Sequence, residues 1–269
     1  MLSVVINPRM NKDRRGVQMS NWGSQGWDSL DDFGPEKTIE TGPRKFYMPA
    51  NVTKRILFLG NAPFTFWEHS LWEITRSGKD REVCLKKNRI ANECPLCDKE
   101  MWPSYIGYFT VVDMGDVKRS PDGTIRLEGW TSDKGVTYQF GRKLLGAKRG
   151  GRDKPGILKK ISRMTERHGD LYGSVYDVYR SGNKVESCGD EWNFVERVDP
   201  DNFRDYLIAN GATAEQVSDL SEVNYSEQFV PKTVDDLKAI VNGGSTSDFG
   251  GGFGVSDSAS QGGNPWQKW

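Results

Sequence analysis

The chain has 269 residues, of which 36% are hydrophobic and 28% are charged, so it can form one sizeable domain with additions or two small domains. No apolar run approaches the roughly 20 residues that cross a bilayer, and the opening apolar stretch is too short for a signal peptide. Four cysteines fit a reducing compartment better than a disulfide framework. We therefore expect a cytoplasmic protein with no membrane partner.

The charges are divided unevenly along the chain. From Glu186 onward there are 15 acidic and 5 basic residues, so a body of net charge +10 carries a C-terminal part of −10. A basic body favours a polyanionic ligand, and an acidic C-terminal part can compete for the same surface. Ordinary solvated charge is the alternative interpretation.

The first 43 residues are polar and show no sustained hydrophobic period. They are predicted to form a flexible N-terminal arm, residues 1–43. Residues 44–60 contain a candidate pair of strands, which opens the predicted folded core of residues 44–198. A predicted metal-binding subdomain, about residues 64–98, follows within that core.

Three of the four cysteines and one of the two histidines lie close together in this subdomain. Cys94 and Cys97 enclose two residues, a spacing that lets both sulfurs face one ion, and Cys84 and His69 would complete a tetrahedral Zn²⁺ site. A closed set of four ligands predicts one structural zinc ion. Cys188 could replace His69, and reduced thiols beside an unrelated histidine are the alternative.

Short runs of β-branched and aromatic residues follow the cysteines, separated by Gly, Pro, Asp or Asn. The predicted strands are Ser104 to Asp113, Ile125 to Thr131, Val136 to Phe140, Leu171 to Tyr179 and Glu191 to Val198. One helix, Ile157 to Arg167, interrupts them. This order lacks a βαβ rhythm and predicts a mainly β fold with helices, namely an OB-fold barrel with an inserted zinc-binding subdomain and C-terminal helices.

The segment from Arg142 to His168 holds ten Lys or Arg against two acidic residues, and its glycines keep the loop pliable. Binders of single strands combine such cations with aromatic faces on which bases stack. Strand alternation must send some of these rings into the core, and Phe140 is a candidate for that. The predicted nucleic-acid-binding residues are Tyr105, Tyr108, Tyr138, Phe140, Arg142, Lys143, Lys148, Arg149, Arg152 and Lys159.

After Asp199 the chain is predicted to be helical, residues 199–242. One helix runs from Asn202 to Ala209, and Thr233 caps another from Val234 to Val241. Residues 243–269 are rich in Gly, Ser and Asp and are predicted to be a disordered tail. Trp266 and Trp269 at its end are candidate anchors for a protein partner.

These features resemble the single-stranded DNA-binding (helix-destabilising) proteins of T-even type phages. The likeness covers roughly residues 46 to 242. Cys84, Cys94 and Cys97 reproduce the family's spacing of nine and two intervening residues. Ser104 to Asp113 is similar to its aromatic strand, Val136 to Lys143 to its Tyr-x-Phe-Gly-Lys-Lys element, and Trp192-Asn193-Phe194-Val195 to its closing strand.

The resemblance implies an OB fold with a zinc subdomain and sequence-tolerant binding of single-stranded DNA in replication, recombination and repair. It also implies replication and recombination proteins as partners, self-association on DNA, and the cytoplasm of a host cell as the location. Three features depart from the family pattern. The gap from His69 to Cys84 is two residues longer, the N-terminal basic motif is faint, and the tail has few acids.

Other classes of protein are alternatives. The sequence contains neither a phosphate-binding loop motif nor a His-Glu-x-x-His motif, and His168 is the one histidine outside the ligand set. We therefore expect a protein that is not an enzyme. A metal-dependent, nuclease-like enzyme and a zinc-ribbon module that binds other proteins remain the alternatives.

Overall fold

The computed structural model describes residues 43–76, 80–131, 137–151 and 155–243. The predicted N-terminal arm, Arg152, and the tail with Trp266 and Trp269 therefore lie outside the described residues, apart from residue 43 and residue 243. Among the residues described, no helix has the length and apolar character needed to cross a membrane.

The described chain is mainly β with several helices, as predicted. The strands are β1 (Arg44–Lys45), β2 (Val52–Phe58), β3 (Phe64–Ser70), β4 (Arg81–Val83), β5 (Ser104–Arg119), β6 (Ile125–Glu128), β7 (Trp130–Thr131), β8 (Thr137–Tyr138), β9 (Gly141–Lys148), β10 (Ser174–Arg180) and β11 (Glu191–Arg197). The helices are α1 (Trp72–Thr75), α2 (Pro95–Asp98), α3 (Ile157–His168), α4 (Phe203–Ala209), α5 (Tyr225–Gln228) and α6 (Val234–Val241), with a 3-10 turn at Pro200–Asn202.

One large sheet organises these strands. Its main path runs β1-β9-β5-β2-β10-β11, with β3 and β6 also paired to β5 and β4 paired to β3, while β7 and β8 form a separate hairpin. The β1–β9 pair is parallel and the other pairs are antiparallel. No pairing between β1 and β11 closes the path within the described ranges, so a closed OB barrel is not established by this sheet.

The long strand β5 joins the main path of the sheet to β3, which carries His69. Its first residues pair with β3, its middle with β9 and β2, and its last residues with β6. It bends at Gly115, where φ is 103° and an added Cβ would lie 2.5 Å from the carbonyl oxygen of Glu128. This left-handed conformation and close approach both favour glycine.

Both faces of β5 are buried, which explains its nearly continuous apolar sequence. Phe109 and Val111 belong to the main core, where Ile161 of α3 packs against the sheet. Val112 and Met114 point to the opposite face and join a second cluster. That second face is covered by the C-terminal region, including Phe203 and Leu207 of α4.

Most of the predicted elements differ from the observed ones at their ends. The basic segment is an exception, because the part that was predicted to be a pliable loop begins with strand β9 (Gly141–Lys148), which pairs with β1 and β5. The predicted strand Ser104 to Asp113 continues to Arg119, and the predicted run Ile125 to Thr131 is interrupted at Gly129. Helix α3 extends one residue beyond its predicted end, and α6 has the predicted bounds. Local caps and helical periodicity therefore indicated the helices well, whereas strand lengths depend on pairing partners that are distant in sequence.

Candidate metal centre and nucleic-acid interface

His69, Cys84, Cys94 and Cys97 converge on one point, and their ligand atoms all lie within 4.8 Å of one another. The Sγ atoms of Cys84 and Cys97 are 3.5 Å apart, and Nε2 of His69 is 3.5 Å from the sulfur of Cys94 and 3.7 Å from that of Cys97. Two sulfurs bound tetrahedrally to one ion at about 2.3 Å would be separated by about 3.8 Å. The four side chains could therefore hold one metal ion.

Separate elements supply these ligands. His69 lies near the end of β3 and pairs with Glu82 of β4, and Cys84 follows β4 directly. Cys94 precedes α2, whose first residue is Pro95, and Cys97 lies within that helix. The backbone N–H of Lys87 donates a hydrogen bond to the sulfur of Cys84 at 3.4 Å. Such N–H groups stabilise a thiolate, the form that binds a metal.

Asn88 fixes the turn that follows Cys84, and it was not among the residues predicted from the sequence. Its side-chain amide donates to the carbonyl oxygens of Trp67 and Cys84, both at 2.8 Å, and its Oδ1 accepts from the N–H of Trp67 at 2.9 Å. One side chain thus joins the first ligand turn to β3, which carries His69. The hydrogen bonds of this side-chain amide take the place of backbone pairing between strands. A single asparagine with this role has no distinctive pattern in the sequence.

The protonation of the three cysteines is coupled. The hydrogen bond from the Cys84 thiol lowers the pKa of Cys94, and the contact with His69 lowers it further. The same hydrogen bond, together with burial, raises the pKa of Cys84. Hydrogen bonds between neighbouring cysteine sulfurs favour a negative charge that the cysteines share. A divalent cation would stabilise the thiolate forms of Cys84, Cys94 and Cys97.

Cys188 is not part of this cluster, so the alternative in which it replaces His69 is wrong for this structure. It is buried in the main core with Met48 and Val178. Burial raises the pKa of its thiol to about 12. Cys188 therefore acts as a small apolar side chain.

Two exposed or half-buried pairs of aromatic rings lie beside cations. In the first pair, the rings of Trp67 and Tyr105 meet edge to face with centroids 5.2 Å apart. Arg149 lies over the Tyr105 ring at 5.8 Å, and Lys87 lies over the Trp67 ring at 5.8 Å. Residues 67 and 105 are direct partners in the β3–β5 ladder, so the sheet itself holds this pair together.

The second pair lies on the β7–β8 hairpin. Trp130 is 53% exposed and stacks on Tyr138 with centroids 5.2 Å apart. Arg44 lies 4.5 Å above the Tyr138 ring, and Lys143 lies 5.8 Å from it. Sequence reasoning named Tyr138 and Lys143 but missed Trp130, which the β7–β8 pairing places opposite Tyr138. It also missed Arg44, whose position depends on the parallel β1–β9 pairing.

Two of the predicted stacking residues are buried, which corrects the prediction for them. Tyr108 is 2% exposed and its hydroxyl donates to the buried Glu68 carboxylate at 2.8 Å. Phe140 is 1% exposed and packs in the second cluster with Val112. Neither ring is accessible to a base, because strand alternation and the C-terminal segment place both in packed interiors.

The predicted cations have different surroundings. Arg142 is held by the C-terminal segment, with its guanidinium 2.5 Å from the Asp219 carboxylate and donating to the Ser221 carbonyl at 3.1 Å. Lys148 is half-buried on β9, whereas Arg149 and Lys159 are exposed. The basic block is therefore not one uniform surface.

Comparison with protein-family models, with curated proteins and with solved structures found no match to this chain.

Proposed function

We propose that this protein binds single-stranded DNA without strong sequence preference and that one structural zinc ion stabilises it. The observation that carries the proposal is the presence of two solvent-accessible aromatic pairs, Trp67–Tyr105 and Trp130–Tyr138, each with cations over its rings. Stacking on such rings contributes about 1 to 3 kcal/mol per base and tolerates any base. The neighbouring cations supply the attraction to phosphates.

Zinc is the proposed ion because three thiolates and one imidazole are ligands that Zn²⁺ prefers. Four protein ligands leave no open position for a substrate, so the proposed role is structural. The proposed fold is an OB-type arrangement of the β sheet with an inserted zinc subdomain. Its support is the sheet that runs from β1 to β11, antiparallel apart from the β1–β9 pair, with one helix, α3, between β9 and β10.

A nuclease-like enzyme is the less favoured alternative. In the described part of the chain, the His/Cys set is the one group of three or more potential ligands that converge on an ion. The buried carboxylates of the sheet are instead paired with cations, Asp113 with Lys54, Asp177 with Arg55, Glu68 with Arg81 and Glu82 with Lys232. His168 is stacked on Phe194 at 4.6 Å. These arrangements disfavour the enzyme alternative, and the proposed role is that of a protein that coats DNA in replication, recombination and repair.

The remaining features of the proposal follow the sequence resemblance. They are an origin in a phage, a location in the host cytoplasm, self-association on DNA, and recruitment of replication proteins by Trp266 and Trp269. Deletion of residues 243–269 should abolish capture of such proteins while DNA affinity stays equal or rises slightly. Retained capture would move the contact to the rest of the chain.

The proposed function is tested by fluorescence anisotropy with a pyrimidine oligonucleotide and with a hairpin duplex of equal length. We expect tighter binding of the single strand. Equal or tighter binding of the duplex would contradict the proposal, and no binding of either would favour the protein-interaction module. Incubation of the same oligonucleotide with Mg²⁺ tests the enzyme alternative, since a coating protein leaves the strand intact.

A further inference from the structure

Helix α6 packs against the candidate metal centre, although almost 140 residues separate it from Cys97 in sequence. Leu237 and Ile240 are fully buried and share a hydrophobic cluster with Cys84 and Cys94. The other buried members of that cluster are Leu71, Leu85, Leu96 and Met101. The apolar side chains around the ligands are therefore closed from one side by the C-terminal helix.

Charged groups add two further contacts between the same elements. Lys232, which precedes α6, lies 3.7 Å from the carboxylate of Glu82, and both side chains are at most 4% exposed. Glu82 is the strand partner of His69. Lys238 of α6 lies 3.3 Å from Glu93, the residue before Cys94. Separating a buried ion pair leaves uncompensated charge, so the first contact resists undocking.

Local interactions define where α6 begins but do not make it stable alone. Thr233 and Asp236 form a reciprocal capping box at its first turn. The helix has eight residues, whereas isolated helices shorter than about 12 residues are marginal in water. Its stability must therefore come from the surface on which it packs.

We propose that α6 is a structural part of the metal centre, with Leu237 and Ile240 as positioning residues that keep the ligand-bearing segments closed around the ion. This inference rests on the proposed zinc binding. Because binding linkage is reciprocal, metal binding holds α6 in its docked position and docked α6 strengthens metal binding. We expect the tighter binding to appear as slower release of the metal. Loss of the metal then frees the C-terminal helix from the rest of the fold.

The first test measures transfer of zinc from the full-length, zinc-loaded protein to a colorimetric chelator. Leu237→Ala should accelerate release on the order of tenfold, within the range for residues that support metal ligands. The matched control is Leu207→Ala, which removes an equally buried leucine from α4 in a different cluster. Equal release rates for the two variants would overturn the proposal.

A second test uses the wild-type chain, so it does not depend on a variant that folds. Amide hydrogen exchange is compared before and after zinc is removed with a chelator. We expect residues 234–241 to lose protection while residues 203–209 of α4 keep theirs. Unchanged protection of α6, or equal loss in both helices, would contradict a specific link. Failure of the zinc proposal is distinguished beforehand, because the purified protein would then contain no stoichiometric zinc.

Discussion

Asn88 shows how one side chain can order a turn beside a candidate metal site without being one of its ligands. Its three hydrogen bonds satisfy backbone groups of Trp67 and Cys84. Asn88→Ala should lower the free energy of unfolding by about 1 to 3 kcal/mol, because partly buried backbone groups lose their partners. Chemical denaturation of the zinc-loaded protein measures this, with the exposed Asn193→Ala of β11 as control. A decrease in the free energy of unfolding no larger than that of the control would contradict a structural role for Asn88.

The exposed Trp130 and the half-buried Tyr105 are predicted to contribute a part of DNA affinity that salt hardly changes. Trp130→Ala and Tyr105→Ala should each weaken binding of a single-stranded oligonucleotide by about 1 to 3 kcal/mol. Trp102→Ala, which removes a ring that is 86% exposed and outside both aromatic pairs, should have little effect. Circular dichroism must show that each variant is folded. Wild-type affinity in both test variants would exclude these rings as stacking sites.

Among the secondary-structure elements, the segment between α4 and α5 is predicted to compete with DNA phosphates for Arg142. Asp219 forms an ion pair with Arg142, with 2.5 Å between the guanidinium nitrogen and the carboxylate oxygen. Partly exposed ion pairs of this kind contribute at most about 1 kcal/mol to stability. Asp219→Asn should free the guanidinium for DNA, raise affinity, and steepen the logarithmic salt dependence by about 0.7.

The control for that prediction is Asp205→Asn, which removes an equal charge from an exposed position of α4. Equilibrium binding at several salt concentrations gives the slope for each variant. If both variants change binding equally, the effect is one of net charge and not of the Arg142 pair.

Some elements could be predicted from the sequence because their signals are local. The spacing of Cys94 and Cys97 gave the metal cluster, and the cap at Thr233 gave the start of α6. Phe140 was already a candidate for the core, but the burial of Tyr108 could not be predicted, because it depends on a C-terminal segment that packs on β5. A strand that is buried on both sides carries no alternation from which exposed rings can be identified.

For the whole molecule, the metal site should raise thermal stability. Cys94→Ser should abolish stoichiometric zinc and lower the midpoint of thermal unfolding far more than Cys188→Ser, since binding free energy contributes directly to folding. Cys188→Ser should keep one zinc ion per chain, because Cys188 lies in the main core. Elemental analysis and calorimetry measure both effects. A metal-free wild-type protein of unchanged stability would contradict the zinc proposal.

The arrangement of the whole molecule was less accessible to prediction than its parts. Three contacts join segments that are distant in sequence. They are the contacts of Arg44 with Tyr138, of Arg142 with Asp219, and of α6 with the cluster that contains the cysteines. Single-sequence patterns report neighbours along the chain and not partners across it. The candidate nucleic-acid interface could therefore be located only in the three-dimensional structure, although the types of residue that form it were evident from the sequence.

We propose that cations and partly exposed aromatic rings act jointly in the binding of single-stranded DNA. The most direct measurement follows quenching of tryptophan fluorescence while a single-stranded oligonucleotide is added at several salt concentrations, with a duplex as control. The account predicts strong quenching by the single strand, a logarithmic salt slope of about −0.7 for each phosphate contacted, and weaker binding of the duplex. Binding that leaves tryptophan emission unchanged, or that is equally tight for the duplex, would contradict it.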